Sequence, residues 1–147
     1  MRIMRNRWTL LLLIMFGVLG LSGCGSKPLL YNVRVAPERI TPNADGDTDI
    51  TLIEYSLSRS AALSIYFIGP DGERRYFRDA ENRAPRDDYT VYFGGVVDDH
   101  MLPDGTYTWV IQALAEDGEQ MAERGQLVLT QADTVYPEIT TFTVSPP

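Results

Sequence analysis

One stretch of the chain carries oxygen-bearing side chains at a spacing that suits a hard metal ion. It contains Asn43, Asp45 and Asp47, and Glu54 follows eleven residues after Asn43. These residues occupy positions 1, 3, 5 and 12 of a loop of the kind that binds Ca²⁺, although Thr48 replaces the glycine of the sixth position. Two interpretations stay open: a Ca²⁺ site formed by these four residues, or Asx turns that bend the chain between two strands.

The residues that common enzyme chemistry needs are mostly missing. His100 is the single histidine and no Gly-x-Ser-x-Gly motif accompanies it, so the sequence offers no recognisable Ser-His-Asp triad. A zinc site would need a second histidine or a second thiol, and the chain has neither. Lys27 is the only lysine, and no Gly-rich phosphate loop contains it. We therefore expect no enzyme activity and no cofactor beyond the Ca²⁺ candidate.

Two further groups of side chains could form a binding surface. The first is a set of arginines interleaved with acids: Arg74, Arg75, Arg78, Arg83 and Arg86 with Glu73, Asp79, Glu81, Asp87 and Asp88. Its mixed charge favours a salt-bridged, solvated surface over a patch for an acidic partner. The second is a set of tyrosines: Tyr66, Tyr76, Tyr89 and Tyr92. Their alternating strand positions favour core or cross-strand pairs over a sugar-binding aromatic surface.

The N-terminus has the order of an export signal. Three arginines in the first seven residues precede an apolar run, Leu10 to Leu21. That run is far shorter than the roughly 20 residues that a membrane-spanning helix needs. The sequence Leu21-Ser22-Gly23-Cys24 resembles the bacterial lipobox, and Cys24 is the only cysteine of the chain.

The lipobox resemblance implies that residues 1–23 are a signal peptide and that Cys24 is the acylated first residue of the mature protein. Two or three acyl chains such as palmitate hold a protein on a membrane almost permanently. Gly25 follows the cysteine where enterobacterial lipoproteins carry an aspartate as the inner-membrane retention signal. The expected location is therefore the outer side of the cytoplasmic membrane or the outer membrane.

The charge of the chain excludes nucleic acid as a partner. The leader holds three of the 13 basic residues and none of the 20 acidic ones, so its removal changes the net charge from −7 to about −10. Phosphate backbones are bound by concentrated positive charge, which this chain lacks. An acidic chain is also repelled by anionic lipid, so attachment to a membrane would depend on the anchor.

The mature chain is predicted to form a series of short strands separated by turns. Alternating apolar and polar residues with Asp-Gly turns between them predict strands rather than helices. The predicted strands are seven: 31–35, 51–57, 63–67, 73–79, 89–93, 106–115 and 120–130. A polar loop is expected over 80–88. The fold class is all-β, an Ig-like sandwich of about seven antiparallel strands, with a tether over 24–30 and the domain over 31–133.

Several motifs resemble the flagellar hook-capping (FlgD-type) Ig-like domain over about residues 31–130. They are Thr41-Pro42-Asn43-Ala44-Asp45-Gly46, Ile53-Glu54-Tyr55-Ser56-Leu57, Ile65-Tyr66 with Gly69-Pro70-Asp71-Gly72, Gly94-Gly95 and Leu102-Pro103-Asp104-Gly105-Thr106-Tyr107. Phe93 stands where the family usually has tryptophan. The family occurs as a repeated accessory module on bacterial surface and secreted proteins, so the resemblance implies the fold rather than a flagellar role.

The C-terminal segment 134–147 begins like the domain itself. Its residues Phe142-Thr143-Val144-Ser145-Pro146 align with Val33-Arg34-Val35-Ala36-Pro37. A lone apolar strand has nothing of its own to pack against. Three interpretations stay open: the start of a further repeat, a strand donated to a neighbouring molecule through Phe142 and Val144, or a frayed tail.

Together these features predict a lipid-anchored, extracytoplasmic Ig-like module for interaction or structure on a bacterial cell surface. Its expected partners are the membrane, through the N-terminal lipid, and other surface or periplasmic proteins, including a second copy of itself. The alternative is a carbohydrate-binding accessory module of a surface enzyme system. An exposed row of coplanar aromatic side chains would favour that alternative.

Overall fold

A computed structural model of the chain describes residues 27–132, and within them the protein is all-β. Seven strands have seven or more residues, as the sequence predicts, and three have two residues each. In chain order the strands are β1 (Leu30–Ala36), β2 (Arg39–Ile40), β3 (Thr51–Leu57), β4 (Ala61–Ile68), β5 (Arg74–Arg83), β6 (Arg86–Phe93), β7 (Val96–Val97), β8 (His100–Met101), β9 (Gly105–Ala115) and β10 (Gln120–Leu129).

The strands form two facing sheets and a small hairpin. One sheet has the order β1-β3-β6, the other has the order β2-β10-β9-β4-β5, and β7 pairs with β8. All long pairings are antiparallel, while β2 joins β10 in parallel over two residues. The fold is therefore a β-sandwich, in which apolar side chains of the two inner faces meet.

The alternation read from the sequence determines which side chains enter the core. Ile53, Tyr55 and Leu57 of β3 are buried, as are Leu63, Ile65 and Phe67 of β4 and Tyr107, Ile111 and Ala113 of β9. Each set repeats with the two-residue period of a strand, so one face of each strand packs inward. Leu29 and Leu30 fall within the predicted tether over 24–30, but they are 1% exposed and belong to this core.

Phe93 occupies a central core position. Its ring stacks on Phe67 with a centroid distance of 4.1 Å and meets Phe77 edge-on at 5.0 Å. Phe93 comes from one sheet, and Phe67 and Phe77 come from the other. Phe93 thus joins the two sheets through aromatic contacts in the core.

The predicted polar loop over 80–88 is wrong. β5 continues to Arg83 and β6 begins at Arg86, so only Ala84 and Pro85 connect these two strands, which belong to different sheets. Most of these strand residues are exposed or half-buried and carry charge, so they lack the apolar alternation by which a strand is recognised. Backbone pairing to β4 and β3 holds them in place instead.

We name the two ends of the sandwich by the described chain, which enters at the N-terminal end and leaves at the C-terminal end. At the N-terminal end, the amide of Ser58 donates to the carbonyl of Leu29, and the turn after Ala115 lies beside them. At the C-terminal end, Leu129 pairs with Gly105, and the Gly69–Gly72 turn follows β4. The described chain therefore enters at one end and leaves at the other. The register of β9 with β10 spans ten residues, or about 33 Å.

Candidate functional site

A cleft lies at the N-terminal end, where the chain enters the sandwich. Its volume is about 620 Å³, and its wall includes Lys27, Tyr31, Arg59, Arg86 and Asp87. Pro28 and Leu29 precede β1, Arg59 lies in the turn between β3 and β4, Asp87 is among the exposed residues at the start of β6, and Glu119 lies in the turn between β9 and β10. Four separate segments thus bring charged side chains to the point where the predicted tether joins the domain.

Three side chains in this cleft fasten the entering chain to β6. The Nζ of Lys27 lies 3.2 Å from the Tyr31 hydroxyl and 3.1 Å from Oδ1 of Asp87, and the Tyr31 hydroxyl donates to the same Oδ1. The hydrogen bond from Tyr31, followed by the bond and charge of Lys27, lowers the pKa of Asp87. Bonds to Tyr31 and Asp87 raise the pKa of Lys27.

These pKa directions decide what the group can do chemically. A lysine with a raised pKa stays protonated, so it is neither a base nor a nucleophile near neutral pH. A carboxylate with a lowered pKa stays ionised. Lys27, Tyr31 and Asp87 therefore form a fixed charge cluster that suits attachment and orientation of the chain rather than catalysis.

Further ion pairs surround the cleft. Nη1 of Arg59 lies 2.8 Å from Oδ2 of Asp117, and its Nη2 contacts Glu119 in the turn between β9 and β10. Nε of Arg86 lies 2.6 Å from Oδ1 of Asp88. All five side chains are substantially exposed, so water and salt screen these pairs.

The loop with the Ca²⁺ candidates is organised around a carboxylate that the sequence analysis did not single out. Asp49 accepts hydrogen bonds from the backbone amides of Asn43, Ala44 and Gly46, at 3.2, 3.0 and 2.7 Å. Because the three donors precede Asp49 by six, five and three residues, the loop closes back on this side chain. A turn of this kind has a sequence signal only in the density of Asn, Asp and Gly.

The four Ca²⁺ candidates themselves fall in two places. Oδ1 of Asn43 accepts from the amide of Asp45 at 3.1 Å, and Oδ1 of Asp45 accepts from the amide of Asp47 at 2.8 Å. These are the Asx turns of the alternative interpretation. Glu54 lies on β3, where Oε2 is 3.4 Å from Nη1 of Arg34. Within residues 27–132, His, Asp and Glu form no group arranged to hold a metal ion. Ca²⁺ binding stays a prediction.

The arginine cluster is salt-bridged along β5 and β6, as its mixed charge indicates. Arg75 pairs with Asp71 and Glu73, and Arg83 pairs with Glu81. Hydrogen bonds from Arg75 and from the amide of Glu73 lower the pKa of Asp71 to about 2.

The tyrosines form pairs rather than a row. Tyr66 and Tyr76 pair across β4 and β5 at 5.1 Å, and Tyr89 stacks on Tyr55 at 5.0 Å. Tyr92 is 66% exposed but lies on the outer face of the other sheet from Tyr76. The exposed tyrosines of the described residues therefore do not share one flat face.

His100 lies in the β7–β8 hairpin, where its Nδ1 is 2.6 Å from the carbonyl oxygen of Asp98. This contact is local to the hairpin and brings no serine or second histidine to the ring. Cys24, Phe142 and Val144 lie outside the described residues. No helix able to cross a membrane occurs between residues 27 and 132.

The cluster of Lys27, Tyr31 and Asp87 could not be predicted from the sequence. Tyr31 and Asp87 are separated by 56 residues, and nothing in their spacing links them. The folded sheet order brings β1 and β6 to the two sides of β3, and the cluster joins them at the N-terminal end. Comparison with models of known protein families gives no match, and comparison with curated proteins gives none either.

Proposed function

We propose that this protein is a lipid-anchored Ig-like module that extends from the outer side of a bacterial membrane and serves interaction or assembly rather than catalysis. The observation that carries the proposal is the position of the two chain exits at opposite ends of the sandwich. Lys27 is at the N-terminal end, and the amides of Gln131 and Ala132 are held by Asp104 at the C-terminal end.

This arrangement suits a spacer on a lipid anchor. Three residue steps separate Cys24 from Lys27, a distance of about 10 Å when the chain is extended. The N-terminal end of the sandwich would then lie next to the membrane. The C-terminal exit would lie about 33 Å farther out, so whatever follows Ala132 would be presented away from the lipid.

The fixed charge cluster supports the same proposal. A flexible tether alone would let the domain lie in any orientation on the membrane. Lys27, Tyr31 and Asp87 tie the last tether residues to β6, which limits the directions the domain can take. The sandwich also agrees with the fold implied by the resemblance to the FlgD-type Ig-like domain, a module that recurs on bacterial surface proteins.

The anchor is tested by the mass of the protein extracted from membranes. We expect a chain that lacks residues 1–23 and carries acyl chains on Cys24. The Cys24→Ser variant should stay unprocessed or be released from the membrane fraction. A soluble, unmodified chain beginning at another residue would contradict the anchor.

The orientation is tested with two labelled variants of the same strand. Thr106→Cys replaces an exposed residue near the start of β9, and Glu116→Cys replaces the exposed residue that follows its end. The acylated Cys24 does not react with a thiol dye. In vesicles with an acceptor dye on the lipid headgroups, energy transfer should be stronger from position 116 than from position 106. Equal transfer would mean that the module lies flat, against the proposal.

A further inference from the structure

The four outer strands of the sandwich differ in how they are protected against pairing with another chain. A free strand edge exposes unpaired backbone groups, and proteins usually shield it with charges, bulges or short strands. In β5, six of ten residues are charged, the register shifts twice against β4, and Ala80 has a positive φ of 47°. β1 has a register shift around Asn32, which has a φ of 52°.

The margin formed by β2 and β10 is protected in a different way. β2 has two residues and covers Val128 and Leu129 of β10. The uncovered part of β10 carries the charged side chains of Glu123 and Arg124 together with Gly125, which offers no side chain to a partner.

The second half of β6 lacks each of these protections. Its residues Tyr89–Phe93 are uncharged and pair with β3 residue by residue, without a bulge. Thr90, Val91 and Tyr92 also belong to the residue types that favour strands. Within residues 27–132, β3 is the only strand that pairs with β6, so the other edge is open.

Apolar side chains are incompletely covered beside this edge. Phe77 of β5 and Tyr89 and Val91 of β6 pack on the core but are only partly buried. Phe77 contacts Phe93 across the gap between the sheets, so these residues line one open margin of the sandwich. A further strand beside β6 with apolar residues on its inner face would cover them.

The chain itself contains a segment of matching chemistry. Ile139–Val144 has six residues, carries no charge, and alternates so that Phe142 and Val144 would share one face of a strand. Six extended residues span about 20 Å, against about 17 Å for the uncharged part of β6. β6 runs toward the C-terminal end, so a segment arriving from that end would run antiparallel to it.

A second copy is better placed than the same molecule to receive this segment. The chain leaves from β10, whereas β6 stacks over β4 and β5 at the other margin. Three strand spacings and one sheet spacing put about 17 Å between these positions in a straight line. Pro42, Gly95 and Leu102 close the end of the sandwich on that line. The seven steps from Ala132 to Ile139 reach about 23 Å, which leaves only about 6 Å for a path around these loops.

We propose that Ile139–Val144 of one molecule adds as an antiparallel strand to the open edge of β6 in a second molecule, with Phe142 and Val144 covering Phe77 and Val91. The proposal names a second copy of this chain as the partner. It rests on the proposed function, in which the protein is an interaction module. On a shared membrane the segment leaves one molecule at the height where β6 of its neighbour ends.

The experiment uses residues 25–147 made without the leader, so its result does not depend on the lipid anchor. Among residues 27–132 every buried core residue lies between Leu29 and Leu129, so this chain contains the whole of the described core. A chain ending at Asp133 has an acceptor edge but no donor segment. A Val91→Lys chain keeps the donor segment and places a charge where the strand would pack.

Sedimentation velocity should give concentration-dependent association for residues 25–147 and monomers for each of the two altered chains alone. Mixed together, the altered chains should form a one-to-one complex. Because this chain has no cysteine, Val91→Cys in the acceptor and Phe142→Cys in the donor should then form a disulfide between molecules. The Met121→Lys chain, with the same change at a partly buried side chain on β10, should associate like the unaltered chain.

Thermal melting followed by circular dichroism shows whether Val91→Lys folds. If it does not, Thr90→Lys with Tyr92→Lys replaces it, because both side chains are exposed. No complex in the mixture, association that survives deletion of 134–147, or loss of association in Met121→Lys would each overturn the proposal. A chain of residues 25–147 that carries both Val91→Cys and Phe142→Cys tests the same molecule: a disulfide formed within it at low protein concentration would overturn the proposal too, since the segment would then cover its own β6.

Discussion

The two ends of the sandwich differ in how many backbone groups their side chains bind. At the C-terminal end, carboxylates and a buried hydroxyl bind backbone groups: Asp49 binds three amides, Asp104 binds two, and the Tyr107 hydroxyl donates to the carbonyl of Pro103 at 2.8 Å. At the N-terminal end, side chains bind fewer backbone groups: the Tyr89 hydroxyl donates to the carbonyl of Ala84 at 2.9 Å, and Asp117 accepts from the amide of Glu119 at 3.0 Å. Exposed ion pairs such as that of Lys27 with Asp87 are prominent there.

This difference has consequences for stability. A side chain bonded to backbone amides fixes loop conformation, and an ionised acceptor makes each bond stronger than a neutral one. Exposed ion pairs contribute little to stability and weaken in salt. The loops of the C-terminal end are therefore held in shape by more side-chain bonds to backbone than the turns of the N-terminal end.

The largest expected effect of a single polar residue is at Asp49. Asp49→Ala removes the acceptor of three amides at once, and we expect the free energy of unfolding to fall by about 2 to 3 kcal/mol. Asp45→Ala is the matched control, because Asp45 accepts from one amide in the same loop, and should cost less than about 1 kcal/mol. Urea denaturation measures both. Equal losses for the two variants would mean that Asp49 does not organise the loop.

The next comparison uses two buried tyrosines. Tyr107 and Tyr55 are each 1% exposed, and burial raises the pKa of both hydroxyls. The Tyr107 hydroxyl has a partner, whereas that of Tyr55, in the N-terminal half, has none among the described residues. Tyr107→Phe should lower the free energy of unfolding by about 1 kcal/mol, and Tyr55→Phe should leave it unchanged or raise it.

The same two denaturation curves can contradict this difference. If Tyr55→Phe is as destabilising as Tyr107→Phe, the Tyr55 hydroxyl has a partner in solution, and the N-terminal half is held more firmly than the comparison states. The Tyr107 contact also resembles the tyrosine corner of Ig-like sandwiches, in which a hydroxyl near the start of a strand bonds backbone a few residues upstream.

These contrasts also show what the sequence could and could not predict. Strands with one buried face, such as β3 and β9, repeat apolar residues every second position, so their pattern alone identifies them. The end of β5 and the start of β6 are polar on both faces, and their strand structure depends on partners that the local sequence does not reveal.

The interactions at the two ends were harder to predict than the strands. The spacing of Asn43, Asp45 and Asp47 matches a known metal loop and does not point to Asp49, because three amides bonded to one carboxylate have no fixed spacing. Asp104 bonds amides 27 and 28 residues away, so only the closure of β9 on β10 brings them together. Long-range contacts of this kind are consequences of topology rather than of local pattern.

A smaller effect is expected from the ion pairs of the N-terminal end. Arg59→Gln removes the pairs with Asp117 and Glu119 and should lower the free energy of unfolding by less than about 1 kcal/mol. The difference from the unaltered protein should shrink further at about 1 M salt, where charges are screened within a few ångströms. Denaturation at low and high salt measures it. A loss that persists in high salt would mean that Arg59 acts through packing instead.

The smallest effect is a pH dependence at the C-terminal end, where Asp71 contacts Arg75 through both carboxylate oxygens. The pKa of Asp71 lies at about 2 in the folded protein, below its ordinary value of 3.8. The unfolded chain therefore takes up the proton first, and the stability that Asp71 contributes is complete above pH 4 and disappears as the pH falls toward 2.

Carbon-detected NMR titration should give a midpoint near 2, and Arg75→Gln should move it up toward the ordinary value. The melting temperatures of the unaltered protein and Asp71→Asn should differ at pH 6 and converge as the pH approaches 2. An Asp71 midpoint that Arg75→Gln leaves unchanged would show that the amide of Glu73, at 3.0 Å, is the main cause of the shift. Asp71 would then be one more carboxylate bound to backbone, like Asp49 and Asp104 at the same end.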